Sequence, residues 1–221
     1  MFSAASRNRL HHFVNAALWI VLLSIGGWHG DLQAQTAKRI LVMGDSLSAA
    51  YGLRSDQGWV ALLGEHLNSK AGVREWEVVN ASISGETSAG GLARIEHALA
   101  THQPVIVVLE LGANDGLRGL PLEQTEQNLA RMIERSHAVQ AKVLLIGMRI
   151  PPNYGPDYTQ AFEALFSRLA NAHQTAFLPF LMEPIATQRG SFQDDNLHPT
   201  AAAQPALMSH VLAALEPLLM P

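Results

Sequence analysis

The chain has 221 residues, 48% hydrophobic and 15% charged, with a formal net charge of -4 and no cysteine. That length suits one domain with a full core, and the aliphatic-rich, charge-poor composition argues against disorder. No run of Lys or Arg exceeds two residues, so the basic stripe that nucleic acid requires is absent. Zero cysteines exclude disulfides, thiolate metal sites, iron-sulfur clusters and a cysteine nucleophile.

The first segment differs from the rest. Arg7 and Arg9 precede an apolar stretch from Phe13 to Trp28, followed by Asp31-Leu-Gln-Ala34. Basic, apolar and small residues in that order form a secretory signal, and the strongly apolar part is shorter than the ~20 residues a membrane-spanning helix needs. Residues 1–34 are therefore read as a cleaved signal peptide and 35–221 as the mature domain, an uncleaved anchor being the alternative. Cleavage removes two Arg and one Asp, leaving 13 basic residues against 18 acidic ones and a charge of -5. The mature protein is expected to be exported, periplasmic, free of stable membrane insertion and monomeric.

Arg39-Ile-Leu-Val-Met43 reads as a first buried strand. Further strands are expected at Glu77–Asn80, Val105–Leu109, Val143–Gly147 and, more weakly, Ala176–Leu178. Helical patterns lie between them, at Trp59–Ser69, Ser88–Thr101, Leu122–Ala138 and Asp157–Ala172, with a last helix over Thr200–Leu219. Strands alternating with helices of ten or more residues imply right-handed crossovers, a parallel sheet and helices on both faces. In such sheets functional residues sit on loops beyond the carboxyl ends of the strands. Those loops here are Gly44–Ser48, Ala81–Glu86, Gly112–Asp115, Arg149–Tyr154 and Asp194–Pro199.

Three familiar motifs are absent. Gly85–Gly90 has the glycine spacing of a phosphate loop, but Gly91-Leu92 replaces its Lys-Ser/Thr pair. Gly44-Asp-Ser-Leu-Ser48 lacks the final Gly of a G-x-S-x-G elbow, and Ser88 lacks the first. The histidines show no metal-binding spacing, and no metal is expected.

What remains is a Ser, an Asp and a His in chain order. Asp195 and His198 lie three apart, close enough for the carboxylate to accept from one imidazole nitrogen. The other nitrogen would face Ser46, which follows a buried strand where backbone N–H groups favour developing negative charge. Each residue alone also reads as a turn, cap or loop residue. Gly85 fits a turn of positive φ, and Asn114 an Asx-turn.

Together these blocks resemble the GDSL, or SGNH, hydrolases. Gly44-Asp-Ser-Leu is similar to block I, Gly85 to block II, Gly112-Ala-Asn114-Asp to block III and Asp195-Asn-Leu-His198 to block V. Gly44–Tyr51, Arg149–Gly155 and the His198-Pro to Gln204-Pro205 region resemble the bacterial periplasmic thioesterase I / lysophospholipase L1 / arylesterase group. Ala50 followed by Tyr51-Gly52-Leu53 is a departure, since related sequences often carry Gly and then a basic residue there. The resemblance implies an α/β fold, a three-layer α/β/α sandwich with a central, mainly parallel five-stranded sheet of flavodoxin-like type. It also implies a serine acyl-ester hydrolase with a Ser46–His198–Asp195 triad, an oxyanion hole of the Ser46 and Gly85 N–H groups and the Asn114 amide, and no cofactor. Asp194 is the weaker candidate for the acid.

For the substrate, Asp115–Leu120 combines two Gly with two Leu, as in a mobile segment beside an apolar groove. Leu117 and Leu120 would face Ile150, Pro151 and Tyr154 across it, favouring medium to long acyl esters, lysophospholipids or thioesters. A carbohydrate or peptidoglycan O-acetyl esterase is the enzymatic alternative, and a noncatalytic exported binding protein the other class.

Overall fold

Five parallel strands build the sheet of this protein, here a computed structural model that describes residues 37–69 and 75–220. They are β1 (Lys38–Gly44), β2 (Trp76–Asn80), β3 (Ile106–Glu110), β4 (Lys142–Ile146) and β5 (Ala176–Leu178). The proposed signal peptide and its cleavage point lie outside the described residues. The helices are α1 (Trp59–Asn68), α2 (Ser88–His102), α3 (Ala113–Leu117), α4 (Leu122–Ala138), α5 (Pro156–His173) and α6 (Gln204–Leu219).

The strand order is β2-β1-β3-β4-β5, with every neighbouring pair parallel. α2 packs on α4 and α4 on α5, while α1 packs on α6. Helices thus cover both faces of the sheet, which is why β1 and β3 carry continuous apolar runs rather than alternating ones. Ile40–Met43 and Ile106–Leu109 are 1% exposed or less. β2 lies at an edge, and its Val78 and Val79 are only partly buried. The connection direction reverses between β1 and β3, so the crevice at their carboxyl ends is where this architecture places a ligand.

Three expectations shift in the structure. β3 runs one residue later than its aliphatic run suggests, leaving Val105 exposed and burying Glu110 completely. The last helix starts at Gln204, after a single 3-10 turn over Ala201–Ala203, with Pro205 in its first turn; Pro fits there because that N–H has no helical partner. Asp115–Leu120 is not an open loop, because its first half belongs to α3, too short for a periodic pattern to reveal. Asp115 ties this turn down: its carboxylate accepts from Ser88 N (2.8 Å), Ser88 Oγ (2.6 Å) and Thr125 Oγ1 (3.3 Å). Gly116 lies so close to Phe162 and Ile150 that a Cβ would meet them at 2.7 and 2.9 Å.

Candidate active site

β1 ends on Gly44, where a Cβ would stand 2.7 Å from Glu110 Oε2 and from the Ser48 side chain. The chain then turns tightly. Asp45 O accepts from Ala49 N (2.9 Å), and Ser46 O accepts from Tyr51 N (3.1 Å). Asp45 Oδ1 also accepts from Leu47 N at 3.0 Å. Ser46 is thereby held at the head of a helical turn directly beyond the buried strand.

The second component comes from the segment before α6. Gln193 N donates to His198 O (2.8 Å), and Phe192 bridges Pro199, closing a small hairpin-like loop. Within it Asp195 Oδ1 accepts from the N–H groups of Leu197 (2.9 Å) and His198 (3.0 Å). Asp195 Oδ2 lies 2.7 Å from His198 Nδ1, and His198 Nε2 lies 2.8 Å from Ser46 Oγ. An ionised carboxylate only accepts, so Nδ1 carries the proton and Nε2 accepts from the Ser46 hydroxyl. The His198 N–H, then the imidazole bond, then the Leu197 N–H lower the Asp195 carboxyl to about 2. Asp194 makes no contact with His198 among the hydrogen bonds found; its carbonyl accepts from Asn196.

The third component lies across the crevice. Gly85 has φ +79°, and a Cβ there would meet only Arg118 Nη2, at 3.7 Å. Backbone conformation rather than crowding therefore demands glycine. Asn114, in α3, makes no Asx-turn. Its Nδ2 donates instead to Asp45 Oδ2 (3.1 Å) and to Glu86 O (3.0 Å), which aims the amide across the carboxyl ends of β1 and β2. Glu86 is in turn held by a two-armed ion pair with Arg94.

Beneath Ser46 lie two carboxyls that sequence reading left without a role. Asp45 is 1% exposed, and burial pushes it up to about 6 against the Leu47 N–H, the His198 charge and the Asn114 amide. Glu110 is fully buried; burial first, then the Asp45 charge, raises it well above the usual carboxylate range. Its Oε2 accepts from Ser48 Oγ (2.6 Å) and Asp45 N (3.3 Å), while Oε1 has no partner. A signal for Glu110 existed: a carboxyl directly extends the aliphatic run of β3 and must be buried with it.

Ser46, His198, Gly85 and Asn114 share a cavity of about 340 Å³. Leu117, Ile150 and Pro151 line it, joined by Met148, Met182 and Leu197, which sequence reading did not single out. Leu120 and Tyr154 do not line it. The twist of α3 turns Leu117 inward and carries the chain away before Leu120, whose carbonyl accepts from Tyr158. Tyr154 sits behind the wall, donating its hydroxyl to Leu117 O at 2.8 Å. A serine hydroxyl bonded to an imidazole, a carboxylate holding the other imidazole nitrogen, and a side-chain amide in the same apolar cavity together suit acyl transfer.

Residues 42–205 match the GDSL-like lipase/acylhydrolase family. Esterase TesA of Pseudomonas aeruginosa is 50% identical over 187 residues, covering 85% of this chain and 92% of that protein. Thioesterase 1/protease 1/lysophospholipase L1 of Escherichia coli K12 is 42% identical over 201 residues, 91% of each chain. The crystal structure of the psychrotrophic esterase EstA from Pseudoalteromonas sp., inhibited by monoethylphosphonate, aligns with a TM-score of 0.78 at 39% identity, covering 82% of this chain and 98% of that one. The chain therefore belongs to the GDSL-like lipase/acylhydrolase family, and it is an acyl-ester hydrolase.

Proposed function

We propose that Ser46 is the nucleophile, His198 the general base and acid, and Asp195 the carboxylate that fixes the imidazole. The observation that carries this reading is the unbroken chain Ser46 Oγ, His198 Nε2, His198 Nδ1, Asp195 Oδ2, with links of 2.8 and 2.7 Å at the floor of the cavity. Ser46 Oγ attacks the acyl carbonyl while Nε2 takes its proton, and the carbonyl π pair moves onto oxygen. Collapse of that intermediate expels the alkoxide or thiolate, which receives the proton from Nε2. Water then repeats the sequence on the acyl-serine and frees the acid and the enzyme. Asp195 remains ionised and stabilises the imidazolium.

The oxyanion is held by the N–H groups of Ser46 and Gly85 and by Asn114 Nδ2. Both Nδ2 hydrogens are engaged in the free enzyme. An oxyanion competes with the neutral Glu86 carbonyl for one of them, and the charge-assisted bond is the stronger. Asp45 retains the other, so the amide keeps its aim while its partner changes.

The substrates are medium to long acyl esters, lysophospholipids or thioesters, because the walls Leu117, Met148, Ile150 and Met182 are apolar and each buried methylene contributes up to ~0.8 kcal/mol. The names of the two relatives, an esterase and a thioesterase/lysophospholipase, agree with that range. The protein acts outside the cytoplasm, released by cleavage after Ala34; this rests on the Arg7 to Ala34 pattern. Mass spectrometry of periplasmic protein is expected to show Gln35 at the N-terminus, and retained Met1 on membranes would favour the anchor.

A fluorophosphonate is expected to label Ser46, and Ser46→Ala to abolish both labelling and p-nitrophenyl ester hydrolysis. Labelling at Ser48, Ser84 or Ser88 overturns the assignment.

A further inference from the structure

We infer that Tyr51 is a positioning residue for His198, its ring face stabilising the imidazolium formed at each proton transfer. This rests on the triad proposed above.

Both imidazole nitrogens are already engaged, Nε2 with Ser46 and Nδ1 with Asp195. Further stabilisation of the cation must therefore come through a face of the ring. Tyr51 supplies one: its ring centroid lies 4.4 Å from that of His198, with the planes 37° apart. The negative face of an aromatic ring attracts a cation at this range. The charged and titratable groups around His198 are Asp195 on its own loop, Asp45 and Ser46 on the turn after β1, and Tyr51 itself. Asp195 meets the ring edge through Nδ1 and Asp45 acts through its charge, whereas Tyr51 is packed ring to ring against the imidazole.

Tyr51 is 51% exposed and lines the cavity, a position that burial of its ring does not explain. It is nevertheless fixed from both sides. Its N–H donates to Ser46 O (3.1 Å), tying it to the nucleophile turn. Gln193 Nε2 donates to Tyr51 O (2.9 Å) and to Pro199 O (3.0 Å), which staples the turn to the segment carrying His198. One side chain thus ties together the two segments that carry the rings.

The test compares wild type, Tyr51→Phe, Tyr51→Leu and Ser46→Ala, measuring kcat and KM against pH with p-nitrophenyl acetate and decanoate, and thermal unfolding. Tyr51→Leu is expected to lower kcat about 3- to 10-fold on both esters, with little change in KM, and to move the acidic limb roughly half a pH unit lower. The limb moves down because removing the ring face disfavours the imidazolium. Tyr51→Phe keeps the face and is expected to restore both the rate and the limb. A Tyr51→Leu effect confined to the KM of decanoate, with the limb unmoved, would reduce Tyr51 to groove wall and overturn the inference. Equal losses in Phe and Leu would overturn it in favour of the hydroxyl. Wild-type rates in Ser46→Ala would refute the triad itself, an outcome separate from either result at Tyr51.

Discussion

The site contains carboxyls in two opposite settings. Asp195 sits on an exposed loop, satisfied by two N–H groups and an imidazole from its own segment, and is held down to about 2. Asp45 and Glu110 lie under Ser46 with no cationic side chain bonded to them, and burial raises both. The same functional group is therefore anionic on one side of Ser46 and drawn towards the neutral acid on the other. The arrangement suits the proposed acyl transfer: an ionised carboxylate is bonded to the His198 imidazole, while burial disfavours ionisation of the two carboxyls beneath Ser46.

The sharpest way to break that contrast is to neutralise the exposed acid. Asp195→Asn offers Nδ1 a donor in place of an acceptor and favours the wrong tautomer; kcat is expected to fall roughly 1,000- to 10,000-fold. Thermal stability at neutral pH should hardly change, since a partly exposed ion pair contributes little to folding. A large loss of stability with a small loss of rate would make Asp195 a loop anchor.

Asn114→Ala comes next, because Asn114 is bonded to buried Asp45 and is the proposed side-chain donor to the oxyanion. It is expected to lower kcat about 100- to 1,000-fold with a modest change in KM. An effect on KM alone would separate Asn114 from the oxyanion.

Ile150→Asp adds a carboxylate to the apolar wall, with neither the hydrogen bonds of Asp195 nor the shared burial of the floor. Desolvating it against a long acyl chain should slow decanoate roughly tenfold or more while hardly affecting acetate. Equal slowing of both would place the groove elsewhere, and thermal unfolding checks that the variant folds.

Glu110→Gln is the mildest change, since the amide imitates a protonated carboxyl. Activity is expected to stay near wild type, and the readout is stability against pH. In the folded protein Glu110 holds a proton that the unfolded chain releases near pH 4.5. Its contribution is therefore fully present below that pH and is lost as pH rises towards the raised folded value. Asp45 acts in the same direction between 3.8 and about 6. Denaturant titrations should show wild-type stability declining across this range and a shallower decline in Glu110→Gln. An unchanged slope would mean that Glu110 is not carrying the proton.

Legibility followed sequence distance. The Asp195–His198 pair could be read from its spacing, because three residues of chain bring the two side chains within reach. Asn114 could be read only through its resemblance to block III; its partners lie 28 and 69 residues away, so local chemistry pointed equally to an Asx-turn. Leu117 and Leu120 were indistinguishable as text, and the short turn of α3 separated them.

The order of strands and long helices, the parallel sheet and the segments after the strands that carry the site were determined by the sequence alone. They depend on local periodicity and on the two-sided burial that continuous aliphatic runs require. Tertiary structure decided the 2.8 Å contact between Ser46 and His198, 152 residues apart, the ring of Tyr51 against the imidazole, and the raised carboxyls of Asp45 and Glu110. The physical reason is that desolvation and cross-chain contact depend on neighbours brought in by other elements, and no window of sequence contains those neighbours.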